Sequence, residues 1–348
     1  MPKNKKEIEA ETEKQSQRFN GGMLIMLIAP AFMACYYYGL RALMLLVVSI
    51  LAAVLCEGLG GMVMRRKKTT LYDLNAVFTG AVIALMLPAS APFYLAVFGS
   101  AFAVIVAKIP FGGTKNAPFV PAAAGFAFLC VCWPSEVFNY PIISSQFGAA
   151  ASDVSSASLA SMLQAGNYLR LNLISVFDIL SGSIPGPMGA GSILVLLAAS
   201  IYFIFTRPSA LLNTLGFVLG CAAIALLFPR IPLRQDLAGR LSSMVLELCS
   251  GMLVFTALFI LPDPATSPQS NNPHRLFYGI FSGVLCMMMR YFGAFEEGAC
   301  FAILLSNASW PFVENRLNGL TVYISKKRSK KPASPAAVIK NGGDADAE

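Results

Sequence analysis

Histidine occurs once in this chain, at His274, and charged residues make up only 13% of its 348 positions. A single histidine gives neither a His-built metal site nor, by itself, a Ser-His-Asp triad. No CxxC…CxxC framework and no dinucleotide-binding glycine fingerprint is present. The glycines at Gly112 and Gly113 lack the Gly-Lys-Ser/Thr order of a P-loop, so nucleotide hydrolysis gains no support. Chemistry performed by side chains alone is therefore a poor account of this chain. The first twenty residues have no apolar h-region, so they read as a cytoplasmic arm rather than a cleavable signal.

What is abundant is apolar surface, at 56% of residues, outside the range of a soluble globular chain. It falls in blocks near twenty long, and at 1.5 Å per residue such a block crosses a hydrocarbon layer of about 30 Å. Ten spans are predicted, roughly 22–40, 42–63, 73–88, 91–107, 118–134, 190–206, 210–228, 241–261, 276–292 and 296–313. The formal net charge of +8 is gathered in short clusters beside these spans, as orientation by the positive-inside rule requires. Nucleic-acid binding is correspondingly disfavoured. The eight cysteines are scattered through apolar runs and read as small hydrophobes. Cys130 and Cys132 are the close pair, but two helical positions apart they point about 200° from each other, a poor metal clamp.

The expected class is an all-α polytopic membrane protein. Its parts are an N-terminal arm (1–21), a five-helix half (22–134), an outer loop (135–189), a second five-helix half (190–313) and a basic, disordered tail (314–348). Arg65-Arg66-Lys67-Lys68 and the lysines and arginines at 326–331 should stay in the cytoplasm, which puts both termini inside. Arg230 and Arg234 fall outside, against the rule. Five spans on each side of the outer loop would place the halves in opposite orientation, as in inverted-repeat transport folds. That inference rests on the count alone.

Polar strings interrupt the apolar runs. Asp263-Pro264-Ala265-Thr266-Ser267-Pro268 cannot continue a helix, and its backbone needs protein, water or a ligand. Glu297-Gly298-Ala299-Cys300-Phe301-Ala302-Ile303-Leu304-Leu305-Ser306-Asn307 is a second polar entry into an apolar helix. In the outer loop, Asp153-Val154-Ser155-Ser156-Ala157-Ser158-Leu159 reads as a helix start with Ser155 or Ser156 as N-cap. Further on lies the glycine-dense run Gly182–Ser192. On the inner side, Gly112, Gly113 and Asn116 precede a helix start, either as an anion-binding concavity or as plain helix punctuation. Asp73 heads the third span as a helix cap. Glu57 and Glu247 lie within apolar spans, where a carboxylate must be paired, hydrated or protonated. They are the candidates for a cation or proton path, with snorkelling as the alternative.

The strings at 263–268 and 297–307 together resemble the D subunit of the Rnf electron-transport complex and its relative, the B subunit of the sodium-pumping NADH:quinone reductase. The resemblance extends from about residue 70 to 313. It implies a membrane component of an ion-translocating ferredoxin:NAD oxidoreductase in the bacterial inner membrane, with partners of the A, B, C, E and G type. It also implies FMN bound through a phosphoester, made by a flavin transferase, at Ser158. Asp153 and Ala157 match that motif, and Ser156 stands where the family has Gly. Serine stands where the family has threonine, and offers the same oxygen nucleophile. Such a bond calls for an exposed hydroxyl flanked by small residues. Ala190 stands where the family has Glu, and Val120 where it has Asn. Flavin or quinone contacts at Gly112, Gly113, Asn116, Asp263, Thr266 and Ser267 follow from the resemblance, as does room for a second, non-covalent flavin. Two other readings stay open: a ten-helix solute or ion transporter without redox cofactor, and a divergent homologue in an extracellular flavin-based electron shuttle.

Overall fold

The computed structural model describes residues 5–63, 74–142, 155–166, 175–206, 208–230, 237–268 and 272–329. Every predicted apolar block carries helix, with ends set by Gly and Pro. α1 (Lys5–Tyr38) and α2 (Leu40–Val63) are separated only by Gly39, whose φ of 66° turns the chain. α3 (Leu74–Met86) stops at Leu87-Pro88, and α4 (Phe93–Ile105) restarts after Pro92. α5 (Pro121–Cys132) has its proline at the first helical position, where the missing N–H costs nothing. The predicted outer loop holds α6 (Pro134–Val137), α7 (Leu159–Gln164) and α8 (Val176–Ser181). It also holds a two-residue ladder, β1 (Tyr140–Pro141) antiparallel to β2 (Ser155–Ser156). α9 (Ile193–Thr206), α10 (Pro208–Leu227), α11 (Leu237–Cys249), α12 (Leu253–Phe259), α13 (Asn272–Phe292) and α14 (Ala299–Ser329) follow.

Three expectations change. The N-terminal arm is not separate from the first span, because its Lys-, Glu- and Gln-rich sequence continues α1 back to Lys5. α14 likewise runs past the expected end at 313 to Ser329, with Pro311 inside it. The eighth predicted span is two helices, α11 and α12, bent by 56° at their junction. Nor are ten full crossings shown. Among the described residues, three helices are long and apolar enough to cross a membrane, Phe19–Tyr38, Leu40–Val63 and Ala210–Leu227, or four if α11 and α12 make one broken span. α3, α4, α5 and α9 are apolar but hold only 12 to 14 residues, about 18–21 Å of rise.

Two units divide the chain, Met1–Ala308 and Ser309–Glu348. The second is helical from Ser309 to Ser329. The first is built with its apolar side out. α2 buries Ala42, Leu45, Ser49, Ala52, Ala53 and Gly61, and turns Leu51, Leu55, Leu59 and Met62 outward at 55–73% exposure. Small residues inside and large ones outside suit lipid, where helices associate by close backbone packing rather than by hiding apolar surface. Several of the hydroxyls this buries are matched. Ser49 Oγ donates to the Gly80 carbonyl at 2.6 Å and lies 2.8 Å from Ser100 Oγ, while Thr214 Oγ1 donates to the Ala257 carbonyl at 2.8 Å.

α10 packs backbone to backbone against α13. Gly216 and Gly220 on one face Gly279 and Gly283 on the other, each pair spaced four apart. A Cβ on Gly279 would fall 2.2 Å from the Asn213 carbonyl oxygen, and one on Gly283 would fall 2.3 Å from that of Phe217. These positions accept glycine because backbone occupies the space a side chain would need.

Candidate functional site

The Ser158 hydroxyl lies at the meeting of α7, the glycine-rich 182–192 run and the loop between α13 and α14. Ser158 is the N-cap of α7: its Oγ accepts the Ser161 N–H at 3.0 Å. The same Oγ donates to Glu296 Oε2 at 2.5 Å. The cap was expected at Ser155 or Ser156. Instead both form β2, where Ser156 pairs with Tyr140 and Ser155 with Pro141. The expectation of an exposed hydroxyl is also corrected. Ser158 is 2% exposed, and Ala157 before it is exposed. Leu159, Ala160 and Leu163 of α7 bury their side chains and carry Ser158 inward with them. Asp153 lies outside the described residues, as do Asp73, Arg65–Lys68 and Arg234.

A hollow of about 30 Å³ adjoins Ser158, lined by Gly186, Ala190, Gly191, Cys249 and Gly251 among others. The run 182–192 is anchored there by its backbone. Gly189 N–H donates to the Leu85 carbonyl at 2.7 Å and Met188 N–H to that of Leu87 at 3.2 Å, at the end of α3. From α1, Tyr37 and Tyr38 hydroxyls donate to the carbonyls of Ser181 and Gly186 at 2.9 and 3.4 Å.

Behind this wall, charged groups close the break between α11 and α12. Both oxygens of Glu297 accept the Met252 N–H, at 3.1 and 3.0 Å, and the carboxylate packs against Gly251, whose φ is 63°. Arg290 donates to the carbonyls of Glu247 and Ser250 at 3.2 and 3.3 Å and to Ser250 Oγ at 2.5 Å. Its Nε also lies 3.6 Å from Glu247 Oε2. Arg230 adds a second cation, 3.7 Å from Glu247 Oε1, and stacks 4.3 Å from the Tyr291 ring centre. That tie gives Arg230 a structural role. The carbonyls freed by the helix break thus find guanidinium donors, which irregular backbone buried in such a protein requires.

The other candidates gather elsewhere. Glu57 Oε1 is 2.5 Å from Lys108 Nζ, and Lys108 is 1% exposed. Gly112 and Gly113, with φ of 98° and 101°, form the turn just after Lys108, and Gly113 N–H donates to the Lys108 carbonyl at 3.2 Å. Asn116 closes a short 3₁₀ turn, Thr114–Asn116, and is exposed. Asp263 is within electrostatic range of Lys108 and of Tyr278. Its carbonyl accepts the N–H groups of Thr266 and Ser267 at 3.3 and 3.0 Å. The residues expected to touch cofactor therefore divide between two ends. Arg290 lies twelve positions beyond Tyr278 along α13, a rise of about 18 Å. Glu57 and Glu247, read as paired, hydrated or protonated, are both paired.

Glu296, Arg290, Lys108 and Tyr140 escaped the sequence reading. Arg290 and Lys108 stood in or beside apolar spans, where an ionised group signals a partner as surely as Glu57 did. Tyr140 is buried within electrostatic range of Glu296 and Glu297, and nothing in its flanking sequence marked it. A further signal lay in the repetition of Leu87-Pro88-Ala89-Ser90-Ala91-Pro92 as Leu261-Pro262 with the Asp263–Pro268 turn. α3 runs toward the Ser158 end and finishes there, where Leu85 and Leu87 hold the 182–192 run. α12 starts at that end, after Met252, and leads away to Asp263.

Comparison with known proteins decides the family. The model for the NQR2, RnfD, RnfE family matches residues 5–319. The chain belongs to the NQR2, RnfD, RnfE family. Among similar proteins is the D-type subunit of the Na(+)-translocating ferredoxin:NAD(+) oxidoreductase complex of Acetobacterium woodii. It is 29% identical over 305 residues, covering 86% of this chain and 89% of that protein. The D-type subunit of the ion-translocating oxidoreductase complex of Salmonella paratyphi B is 28% identical, covering 87% and 93%. That of Salmonella enteritidis PT4 is 27% identical over the same shares. With its membrane-capable helices, this NQR2, RnfD, RnfE family member is a membrane-embedded protein.

Proposed function

We propose that the chain is the D-type subunit of an ion-translocating ferredoxin:NAD oxidoreductase complex, with FMN tethered to Ser158 as a phosphoester. The observation that carries the reading is the family match over residues 5–319, supported by relatives of nearly the same extent, one named for a Na(+)-translocating ferredoxin:NAD(+) oxidoreductase complex and one for an ion-translocating oxidoreductase complex. Ser158 supplies the hydroxyl the bond needs, but in this arrangement its neighbours leave room for neither the phosphate nor the ring. Ser158 offers a hydroxyl between exposed Ala157 and the small residues of the 182–192 run. The adjoining hollow of about 30 Å³ has room for roughly one water. When bound, the flavin supplies the electron chemistry, and the protein supplies its position and electrostatic surroundings.

In this reading the partners are subunits of the A, B, C, E and G type and a maturing flavin transferase. The location is the bacterial inner membrane with both termini in the cytoplasm. Two halves of opposite orientation agree with the opposite senses of α3 and α12 and with their repeated Leu-Pro ends. An ion path past Glu57 and Glu247 would require the Glu57–Lys108 and Glu247–Arg290 pairs to part. A second flavin would lie against the Gly112–Asn116 turn and the Asp263–Ser267 turn.

The test is fluorescence of the denatured protein in a gel after coexpression with a flavin transferase. Wild type should give a flavin band that vanishes completely in Ser158→Ala, with mass spectrometry placing the adduct on the Ser158 peptide. A colourless wild type would favour a transporter without redox cofactor.

A further inference from the structure

The hydroxyl proposed to carry the flavin is locked away. Ser158 is 2% exposed, its proton is committed to Glu296 at 2.5 Å, and its free space is about 30 Å³. Pockets for ligands of drug size run to roughly 300–1,000 Å³, so no flavin nucleotide reaches Oγ in this arrangement. The loop between α13 and α14 holds α7 at both ends. Glu296 takes the Ser158 hydroxyl, and the Gly293 carbonyl accepts Gln164 Nε2 at 3.3 Å. Between these grips, Leu159, Ala160 and Leu163 are buried. Arg290, on α13, and Glu297 are the charged groups within electrostatic range of Glu296 on its loop side, and buried Tyr140 faces it from β1.

We propose that Glu296 is a positioning residue that sets the rate of flavin attachment by holding Ser158 inward, and that attachment proceeds only after α7 leaves this position. The inference rests on the reading that Ser158 carries the flavin. In the attachment step Ser158 Oγ forms a bond to the flavin-side phosphorus of a flavin dinucleotide. The pyrophosphate P–O bond breaks, the nucleoside monophosphate leaves with the electron pair, and the hydroxyl proton goes to solvent. Once attached, the anionic diester faces a carboxylate where the hydroxyl was, in a hollow too small for it. α7 then stays out, so the modification is also a one-way release.

The test compares unmodified full-length wild type with Glu296→Gln and Gln164→Ala, given purified flavin transferase and FAD. The readouts are the initial rate of covalent incorporation and hydrogen exchange of the 159–164 amides. Glu296→Gln keeps the shape but exchanges a charge-assisted hydrogen bond for a neutral one, so both readouts should rise about tenfold. Gln164→Ala should shift them the same way, and it decides the matter if the first variant does not fold. Rates equal to or below wild type would overturn the proposal, and a slower Glu296→Gln would assign that carboxylate to proton removal instead. If wild type takes up no flavin at all, the Ser158 reading fails. Exchange of α7 then judges the latch by itself: faster in the variants it stands, unchanged it falls.

Discussion

Arg290→Met is expected to destabilise the protein by roughly 3–5 kcal/mol, the scale seen when one partner of a buried ion pair is removed. Arg290 is 3% exposed and Glu247 fully buried. The substitution leaves Glu247 with Arg230, at 3.7 Å, as its neighbouring cation. It also strips donors from the carbonyls of Glu247 and Ser250 at the α11–α12 break, where an unmatched buried carbonyl is costly. The measurement is the thermal midpoint and the yield of monodisperse protein in detergent. Adding Glu247→Gln should recover part of the loss, because a neutral amide is cheaper to bury alone than a carboxylate. If Arg290→Met behaves as wild type, the helix break is not held by this guanidinium.

Gly279→Val should abolish folded protein. Its first side-chain carbon alone would sit 2.2 Å from the Asn213 carbonyl oxygen and 2.9 Å from the Gly216 Cα. Both obstacles are backbone, so no rotamer change relieves them and α10 and α13 must separate. In lipid that separation forfeits the packing that brings the helices together. Gly279→Ala should also destabilise, since the first carbon already collides. Gly22→Ala is the control. Nothing lies within 4 Å of a Cβ there, and alanine is the better helix former, so expression and thermal midpoint should match or slightly exceed wild type. Normal yield of Gly279→Val would mean that the α10–α13 contact is dispensable.

The helices were readable because each apolar block is bounded by residues with one local meaning, such as Gly39 between α1 and α2 or Pro121 opening α5. Length was less readable. Hydropathy responds to composition, and the residues of α3 or α9 are apolar over more of the sequence than the backbone stays helical. At the site, Glu57 and Glu247 stood out as carboxylates within apolar spans, and Ser158 through the resemblance to a known family. Their partners did not, because Glu296 is 138 residues from Ser158, and no local pattern joins positions so far apart.

Composition, periodicity and local motifs, taken alone, point to a helical protein for a membrane whose own side chains are a poor source of chemistry, and the resemblance to a known family names the candidate anchor hydroxyl. Those are properties of single segments, written in residue type and spacing. Only the tertiary structure decides that the hydroxyl faces inward onto a carboxylate, that Glu57 and Glu247 have fixed cations, and that the candidate residues divide between two ends. Such facts depend on which helices touch, and contact between remote segments is set by packing and charge pairing over the whole chain rather than by any stretch of it.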